Sequence, residues 1–442
     1  MFATFRNAWK TAELRSKILF TALIMLIYRL GASIPLPYIS NDALTYFNSY
    51  ARGSILEYMD FLSGGAFGNS TLFALSVSPY ITASIVIQLL TVAIPALQAL
   101  SKDGEEGRKK ITAITRYVTV VLAIVTAYGY MKLMENYNML VSDITWFGKF
   151  VLIGCYCAGA AIIMWLAERV NEHGIGNGVS MILFANIISR VPTLANSVGS
   201  MVYNKTDGFR WWGIPLAVLS LAITLAMIIF IVWFTESERR IPILYAKRVV
   251  GRKMYGGQSS NLPIKLNMSG VMPIIFASTI ASIPATIGAF FPNSGFSKFM
   301  EKYFNYNTWL YFIIYLALIV VFAYFYIMIS FDPVEVSNNI QKNGGSIPGI
   351  RSGRPTIQYI KKILNRITLI GAVFLCIVAG LPMLVTIINH LINPASTTFN
   401  GIAFGGNSLL IVVGVILEVV RDLEAQLALR SYGKSQTKGI FG

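Results

Sequence analysis

The sequence has little cysteine or histidine, with three cysteines and two histidines in 442 residues. Cys155, Cys157 and Cys376 stand in apolar stretches, where a thiol is usually a packing residue. His173 and His390 are far apart in sequence, and no Cys and His cluster has metal-ligand spacing. The motifs of a nucleophile elbow, a zinc protease and a phosphate-binding glycine loop are also missing. We therefore expect no catalytic residues, no metal and no cofactor.

Charge is scarce as well, because only 13% of the residues are charged and 55% are hydrophobic. A charged side chain at the centre of a bilayer costs roughly 2.5 to 3.5 kcal/mol on insertion scales. Long uncharged stretches therefore indicate membrane spans. Asp, Glu, Lys and Arg are all missing from residues 61–101, 117–131, 150–167, 174–189, 211–235, 266–297, 303–331 and 367–417.

These stretches predict an all-α polytopic membrane protein. Its first apolar run is too long for a cleaved signal peptide and lacks a small-residue cleavage site. Ten spans divide into halves of five, 1–200 and 201–442, and this odd number permits an inverted repeat with a site between the halves. We place the spans near residues 18–36, 74–95, 113–133, 149–167, 176–195, 212–234, 268–290, 309–330, 367–388 and 405–423.

The basic residues are unevenly distributed along this pattern. Lys and Arg number 36 against 20 acids, and most of them precede span 1, follow an even-numbered span or follow span 10. Loops rich in Lys and Arg stay in the cytoplasm. Both termini are therefore predicted to be cytoplasmic, and the net charge of +16 would face anionic lipid or an acidic partner on that side.

Two of these cytoplasmic loops, 236–265 and 332–366, are longer than a simple connection needs. Both alternate apolar and basic residues and contain many Gly and Pro residues, a pattern that favours ordered hairpins over flexible linkers. Ordinary positive-inside charge explains their sign but not their length. A large negatively charged partner, such as RNA or an acidic motor surface, is the sharper interpretation.

The stretch 54–90 contains two pieces of different kinds. The first is a short amphipathic piece, which cannot span a bilayer because a span needs about 20 apolar residues. It ends at Ser63, Gly64 and Gly65, and an apolar span with Pro79 near its start and Gln88 near its middle follows. Like Pro284 in span 7, Pro79 predicts an irregular or moving helix, or a merely structural kink. A non-spanning segment at membrane depth needs surrounding protein or a water-filled cavity, which indicates a channel.

The sequence resembles the SecY family, the central subunit of the bacterial protein-translocation channel. The resemblance covers nearly the whole chain and implies an hourglass-shaped bundle of ten helices in two inverted halves, with a lateral gate between spans 2 and 3 and spans 7 and 8. The motifs that carry it are FLSGGAFGNSTLFALSVSPYITASIVIQLL, ERVNEHGIGNGVSMILFANI, RRIPILYAKR, LNMSGVMPIIFAS, PGIRSG and FGGNSLLIVVGVILE.

The resemblance also implies roles for particular residues in the gate, the docking surface, the plug and the pore ring. Gln88 would ease opening of the lateral gate, or would make a structural bond between helices. The motor or ribosome would dock on Arg239, Arg240, Lys247, Arg248 and Arg351. The segment 54–67 would be a plug in the external funnel, including Ser54, Ile55, Leu56, Met59, Phe61, Leu62, Gly64 and Gly65. A ring of aliphatic side chains would close the pore at Val77, Ile81, Val179, Leu183, Ile275 and Ile411.

The family implies a conduit that moves unfolded secretory chains across the bacterial inner membrane and releases apolar segments sideways into lipid. Expected partners are SecE, SecG, the SecA ATPase or the ribosome, signal peptides and nascent chains, and membrane lipid. Two departures stand out, since the family often has isoleucine throughout the ring and usually has Pro where Ser352 follows Arg351. The residues alone also leave open a small-solute transporter or ion channel, and a membrane-embedded assembly subunit.

Overall fold

The computed structural model describes most of the chain as helix. It describes residues 2–40, 60, 63–141, 144–204, 208–209, 211, 213–245, 248–250, 253–255, 259–290, 295, 299–300, 303–304, 308–392 and 406–438. The N-terminal elements are α1 (Phe2–Lys10), α2 (Ala12–Gly31), α3 (Ser78–Ala93), α4 (Pro95–Lys102), α5 (Gly104–Asn136), α6 (Trp146–His173), α7 (Gly178–Ser189), α8 (Val191–Val202), β1 (Tyr203–Asn204) and β2 (Gly208–Phe209).

The remaining elements alternate long helices with a small β region. They are α9 (Gly213–Glu236), β3 (Glu238–Tyr245), β4 (Arg248–Val250), β5 (Lys253–Tyr255), β6 (Ser259–Lys265), α10 (Met272–Phe290), α11 (Trp309–Ser330), α12 (Pro333–Lys342), β7 (Gly345–Ser346), α13 (Arg354–Ile392) and α14 (Gly406–Lys438). Each predicted span coincides with one or more of these helices.

Five of the helices in the described part of the chain are long and apolar enough to cross a membrane. They are Gly104–Asn136, Trp146–His173, Gly213–Glu236, Trp309–Lys342, which takes α11 and α12 together, and Arg354–Val385. The pair α3 and α4, bent by 102°, makes a sixth if it counts as one span, and Gly178–Thr193 and Met272–Pro284 are shorter apolar helices. The number ten therefore stays a prediction.

Proline explains the bend between α3 and α4. Pro79 lies in the first turn of α3, where its missing N–H costs no helical hydrogen bond. Pro95 starts α4, and Ile94 before it has the extended backbone that a residue preceding proline prefers. The break thus falls at Pro95 and not at Pro79. Pro284 lies inside α10.

The chain forms two compact units, the first of residues 1–217, 279–311 and 411–442, and the second of 218–278 and 312–410. In the first unit, a small core joins α1, α2, α14 and the turn before α7. It contains buried Ala8, Leu14, Ile175 and Leu423. The turn is fixed to α14 because the Gly176 backbone N–H donates to Asp422 Oδ2 at 3.1 Å.

In the second unit, β3 pairs antiparallel with β6 from Glu238 and Lys265 to Leu244 and Ser259, and β7 pairs with the end of β3. The alternating pattern of β3 puts Ile241 and Ile243 on a buried face. Their core partners come from β6, α12, the position directly after β7, and α13, namely Ile264, Ile340, Ile347, Ile360, Leu364 and Ile367. Burying an aliphatic side chain of this size stabilises a fold by about 1.5 to 3 kcal/mol, so this isoleucine core holds the loop elements in place.

Candidate functional site

The described part of the predicted plug is a tight turn around Asp60. The Asp60 carbonyl accepts hydrogen bonds from Ser63 Oγ at 2.9 Å and from the Gly65 N–H at 3.0 Å. Its carboxylate accepts the Gly68 N–H at 2.6 Å through Oδ1 and forms an ion pair with Arg190 through Oδ2. One aspartate therefore closes the turn and ties it to the end of α7. Ser54, Ile55, Leu56, Met59, Phe61 and Leu62 lie outside the described residues.

Gly64 lies closer to its neighbours than a residue with a Cβ readily would. Its φ of +66° lies in the left-handed region, and a Cβ placed there would stand 3.0 Å from the Asn186 Cα. The Gly64 carbonyl accepts a hydrogen bond from Arg29 Nη1 at 3.0 Å. Gly65 also has a positive φ, of +90°, but a Cβ there would meet nothing within 3.8 Å. Glycine is thus favoured at position 64 by both the contact and the backbone conformation, and at position 65 by the backbone conformation.

An aromatic anchor holds the chain that follows the turn. The Tyr130 hydroxyl of α5 donates to the Phe67 carbonyl and lies 2.9 Å from Ser70 Oγ. The Phe67 and Tyr130 ring centroids are 4.4 Å apart, and Tyr156 packs edge-on against Tyr130. Aromatic pairs of this kind add about 0.5 to 1.5 kcal/mol beyond the area they bury. The segment leading into α3 is therefore fixed to α5 and α6.

Five of the predicted ring residues belong to the first unit. Val77 directly precedes α3 and is buried, and Ile81 lies one turn later and is half-buried. On α7, Val179 is half-buried and Leu183 is buried. Positions 179, 183 and 186 recur at four and three residues, so they share one helix face. Ile411, near the start of α14, is buried.

A polar link brings two of these ring segments together. Asn186 Nδ2 donates to Ser76 Oγ at 3.3 Å, and the Tyr28 hydroxyl lies 3.4 Å from the same oxygen. Ser76 precedes Val77, and Asn186 is on the face of α7 that carries Leu183. The link therefore places the entry to α3 against the ring-bearing face of α7.

The sixth ring residue, Ile275, belongs to the second unit and is buried in the first turns of α10. Its neighbour Phe276 is also buried and packs edge-on against Phe322 of α11 at 5.9 Å between centroids. All six ring positions therefore lie in described helices or at a helix start, and each is buried or half-buried within the protein.

Gln88, the predicted gate residue, is half-buried in α3. Its Nε2 donates to Ser84 Oγ at 3.3 Å, one turn earlier on the same helix. The sequence left open a bond between helices, whereas this bond lies within one helix. This bond uses one N–H of the amide and does not fix α3 to a neighbouring helix.

The first predicted docking loop is an ordered hairpin, as its alternation predicts. Arg239 and Arg240 lie on β3 with exposed side chains, and Arg240 pairs with Glu238 at 2.7 Å. The hairpin presents both guanidinium groups to water, a geometry suited to carboxylate or phosphate partners. The backbone of Arg248 starts β4, and Lys247 lies outside the described residues.

The second docking loop is not a hairpin, and that prediction was wrong. Asp332 caps α12 by accepting the Val334 N–H at 2.8 Å, and Pro333 occupies the first turn. This cap and proline start a helix. Of the residues in this second loop, β7 alone then pairs with β3. Gly349 and Gly353, both with positive φ, shape the turn that carries exposed Arg351. The Arg351 carbonyl accepts from Thr356 Oγ1 at 2.9 Å, which secures the turn to α13.

The sequence did not reveal the polar residues that hold two parts of the site. These parts are the turn around Asp60, called the plug turn below, and the segments that carry the predicted ring. The contact partners of these residues lie far apart in the chain. One signal was present, because Arg29 is a charge within the first apolar run and an arginine in a span usually has a partner. The missed residues are Tyr28, Arg29, Asp60, Ser76, Tyr130, Asn186 and Arg190.

Comparison with known proteins agrees with this arrangement. The SecY family profile matches residues 71–420. The protein translocase subunit SecY of Streptomyces galbus is 39% identical over 445 residues, covering 98% of this chain and 99% of the relative. That of Mycobacterium tuberculosis is 38% identical over 451 residues, with the same coverage of both chains. The chain therefore belongs to the SecY family.

Two solved structures share the fold. One, described as a protein-conducting channel, has a TM-score of 0.61 and 17% sequence identity, covering 93% of this chain and 92% of that one. Sec61 from the canine ribosome–channel complex has a TM-score of 0.58 and 16% identity, with the same coverage. At these identities the likeness concerns the fold. The chain is thus a mostly helical, multi-pass membrane protein with a SecY and Sec61 channel fold, and the predicted family and fold class are confirmed.

Proposed function

We propose that this protein is the central pore-forming subunit of a protein-conducting channel. It moves unfolded secretory polypeptides across the membrane and releases transmembrane segments sideways into lipid. The observation that carries this proposal is the relationship to SecY translocase subunits over 98% of the chain. The family profile matches residues 71–420, which contain all six proposed ring positions.

The ring would seal the resting pore by excluding water. Val77, Ile81, Val179, Leu183, Ile275 and Ile411 carry no charge, and narrow apolar constrictions block ions by dewetting. A polypeptide segment can displace such side chains without breaking an ion pair. The segment 54–67 would cover the ring from outside, and Gln88 would lower the cost of parting α3 from the neighbouring gate helix.

The proposed topology has two inverted halves, 1–200 and 201–442, in a bacterial inner membrane with both termini in the cytoplasm. The distribution of Lys and Arg supports this orientation. The exposed cations of β3 and of the turn after β7 then lie on the cytoplasmic side, where a motor or ribosome approaches.

We propose that Arg239, Arg240, Lys247, Arg248 and Arg351 form the docking surface for the SecA ATPase or the ribosome. These partners would supply the energy for transport. Related solved complexes include Sec61 on a canine ribosome and the yeast Ssh1 complex on an 80S ribosome. SecE, and SecG beside it, complete the proposed assembly, and copurification of a small membrane subunit with this chain tests that part.

Deletion of residues 54–67 tests the proposal against its rivals. A plugged channel gains a steady ion leak in planar bilayers when the deletion is made, and it still transports secretory polypeptides. A small-solute transporter instead supports solute flux by the purified chain alone. An assembly subunit conducts neither before nor after the deletion, and that result would contradict the proposal.

A photocrosslinker at position 81 or 183 provides a direct test. A secretory chain stalled during transport should crosslink at both positions. A matched probe at Val121, which is exposed on α5, should label lipid and not the stalled chain. Equal crosslinking at all three positions would exclude the proposed pore.

A further inference from the structure

Helix α1 has three distinct faces along its nine residues. Ala8 is fully buried, and Thr4 Oγ1 on the same side donates to Glu424 of α14 at 3.1 Å. Phe5 and Trp9 lie one turn apart and are 42% and 51% exposed. Two exposed aromatic side chains next to each other form a small apolar patch, and such patches often mark interaction surfaces.

The third face is cationic. Arg6 and Lys10, also one turn apart, follow directly after Phe5 and Trp9 in the helical rotation, and both are exposed. The helix therefore carries an aromatic stripe, a cationic stripe beside it, and a narrow face of small residues towards the protein. An amphipathic helix with Lys and Arg beside Trp and Phe suits the interface of a bilayer.

The attachment of α1 to the protein leaves the two outer stripes free. Thr11 has an extended backbone and separates α1 from α2, so α1 is a helix of its own. Ala8 packs with Leu14, Ile175 and Leu423 in the small core of the first unit. The aromatic and cationic stripes are not used in that packing.

The next helix, α2, carries an exposed apolar face of its own. On α2, a row of leucines three or four residues apart is exposed along the first apolar run. In a multi-pass membrane protein such a row contacts acyl chains. The row begins at Leu19, ten positions after Trp9 in the chain. The row consists of Leu19, Leu23, Leu26 and Leu30.

The charges around α1 also favour an anionic surface. The segment 2–18 carries four cations, of which Arg6, Lys10 and Arg15 are exposed, and Lys17 donates to Gln426 at 3.2 Å. Glu13 is the single acid in that segment. On the facing part of α14, Glu424 accepts the Thr4 hydroxyl and Asp422 accepts the Gly176 N–H.

We propose that α1 is an interfacial anchor that binds the anionic headgroup surface of the membrane. Phe5 and Trp9 insert at the boundary between headgroups and acyl chains, and Arg6 and Lys10 contact lipid phosphates. The long stems of these cations lie over the apolar boundary while their charges stay in the headgroup layer. This anchor does not depend on the channel proposal, because it needs only a chain that spans a membrane.

Hydrogen exchange tests the anchor on the full chain in its membrane complex. The complex is placed in nanodiscs of phosphatidylcholine alone or of phosphatidylcholine mixed with phosphatidylglycerol, and exchange is followed for the amides of residues 2–10. Exchange should be slower in the anionic discs. Each cation near an anionic surface contributes about a five-fold preference, so R6Q/K10Q should lose up to roughly 25-fold of the lipid-dependent protection.

Two further variants separate the contributions. W9S should reduce protection of α1 in both kinds of disc, because it removes the aromatic insertion. K361Q/K362Q removes two exposed cations from α13 and should leave the exchange of α1 unchanged. Protection of residues 60–136 serves as the measure that each variant is folded.

The proposal is overturned if residues 2–10 exchange equally fast in the two kinds of disc. It is also overturned if R6Q/K10Q and K361Q/K362Q reduce the protection of residues 2–10 equally. The lipid dependence would then reflect the total positive charge of the protein and not the cations of α1. Protection that appears only when an acidic protein is added would assign this surface to a protein partner instead.

Discussion

Asp60 and Arg190, which stand 130 positions apart in the chain, form an ion pair at the end of α7. Both side chains are mostly shielded from water, with 18% and 22% of their surfaces exposed. Because water is largely excluded, the two charges are screened less than those of a surface salt bridge, and the Asp60 carboxylate also accepts a backbone N–H. It joins the plug turn to the helix that carries Val179 and Leu183.

Breaking this pair should make the resting channel leak. D60N keeps the acceptor for the Gly68 N–H but removes the charge, and hydrogen bonds to charged groups contribute roughly 1.5 to 3 kcal/mol. We expect the closed state to lose roughly 10- to 100-fold in population, measured as ion conductance in planar bilayers. R190Q should have the same effect, and the exchanged pair D60R/R190D should restore part of the seal. Unchanged conductance in both single variants would show that the pair does not hold the plug.

The two adjacent glycines should respond differently to alanine. Both backbones have positive φ, so each substitution costs about 1 to 2 kcal/mol in strain. Only G64A adds a collision, because its Cβ would meet Asn186. G64A should therefore leak more than G65A in the bilayer assay. Similar conductance for the two variants would mean that contact with Asn186 does not matter for closure.

Polar substitution in the ring should weaken the exclusion of water. I81S and L183S place hydroxyl groups where the proposed waist must stay dry, so ion leak should rise severalfold over that of the unaltered chain. V121S is the matched control, since Val121 is a similar aliphatic residue with 60% of its surface exposed on α5. A leak of the same size in V121S would indicate general damage to the fold.

Charge reversal at the turn after β7 should reduce motor-driven transport but leave insertion of the chain into membranes unchanged. R351E replaces an exposed cation, so transport driven by SecA into vesicles should fall several-fold while the chain still inserts into membranes. K342E makes the same charge change at another exposed position in this loop region. Full transport by R351E, or equal loss in K342E, would remove Arg351 from the docking surface.

The sequence predicted the helices well because membrane spans depend on local composition. The predicted span 309–330 matches α11 at both ends. The hairpin from Glu238 to Lys265 was also predictable, since its alternation and turn residues are local signals. The error at 332–366 was local too, because Asp332 and Pro333 together form a recognisable helix start.

The plug anchors could not be predicted in the same way. Asp60 reads as the polar side of a short amphipathic piece, and Arg190 reads as the charge that ends an apolar stretch. Their pairing depends on how the turn and α7 meet in space, which no local pattern records. The same holds for Tyr28, Ser76 and Asn186, whose hydrogen bonds cross 48 and 110 positions.

Helix α13 runs unbroken for 39 residues, from Arg354 in the loop region to Ile392. At 1.5 Å per residue it is about 58 Å long, and its first turns share the isoleucine core with β3 and β6. A force at Arg351, three residues before the helix begins, would pass along the helix as far as Pro382, an interior proline whose missing N–H lets a helix bend. The residues from Arg354 up to Gly380 would then move as one body with the isoleucine core, and the turns after Pro382 could change direction independently.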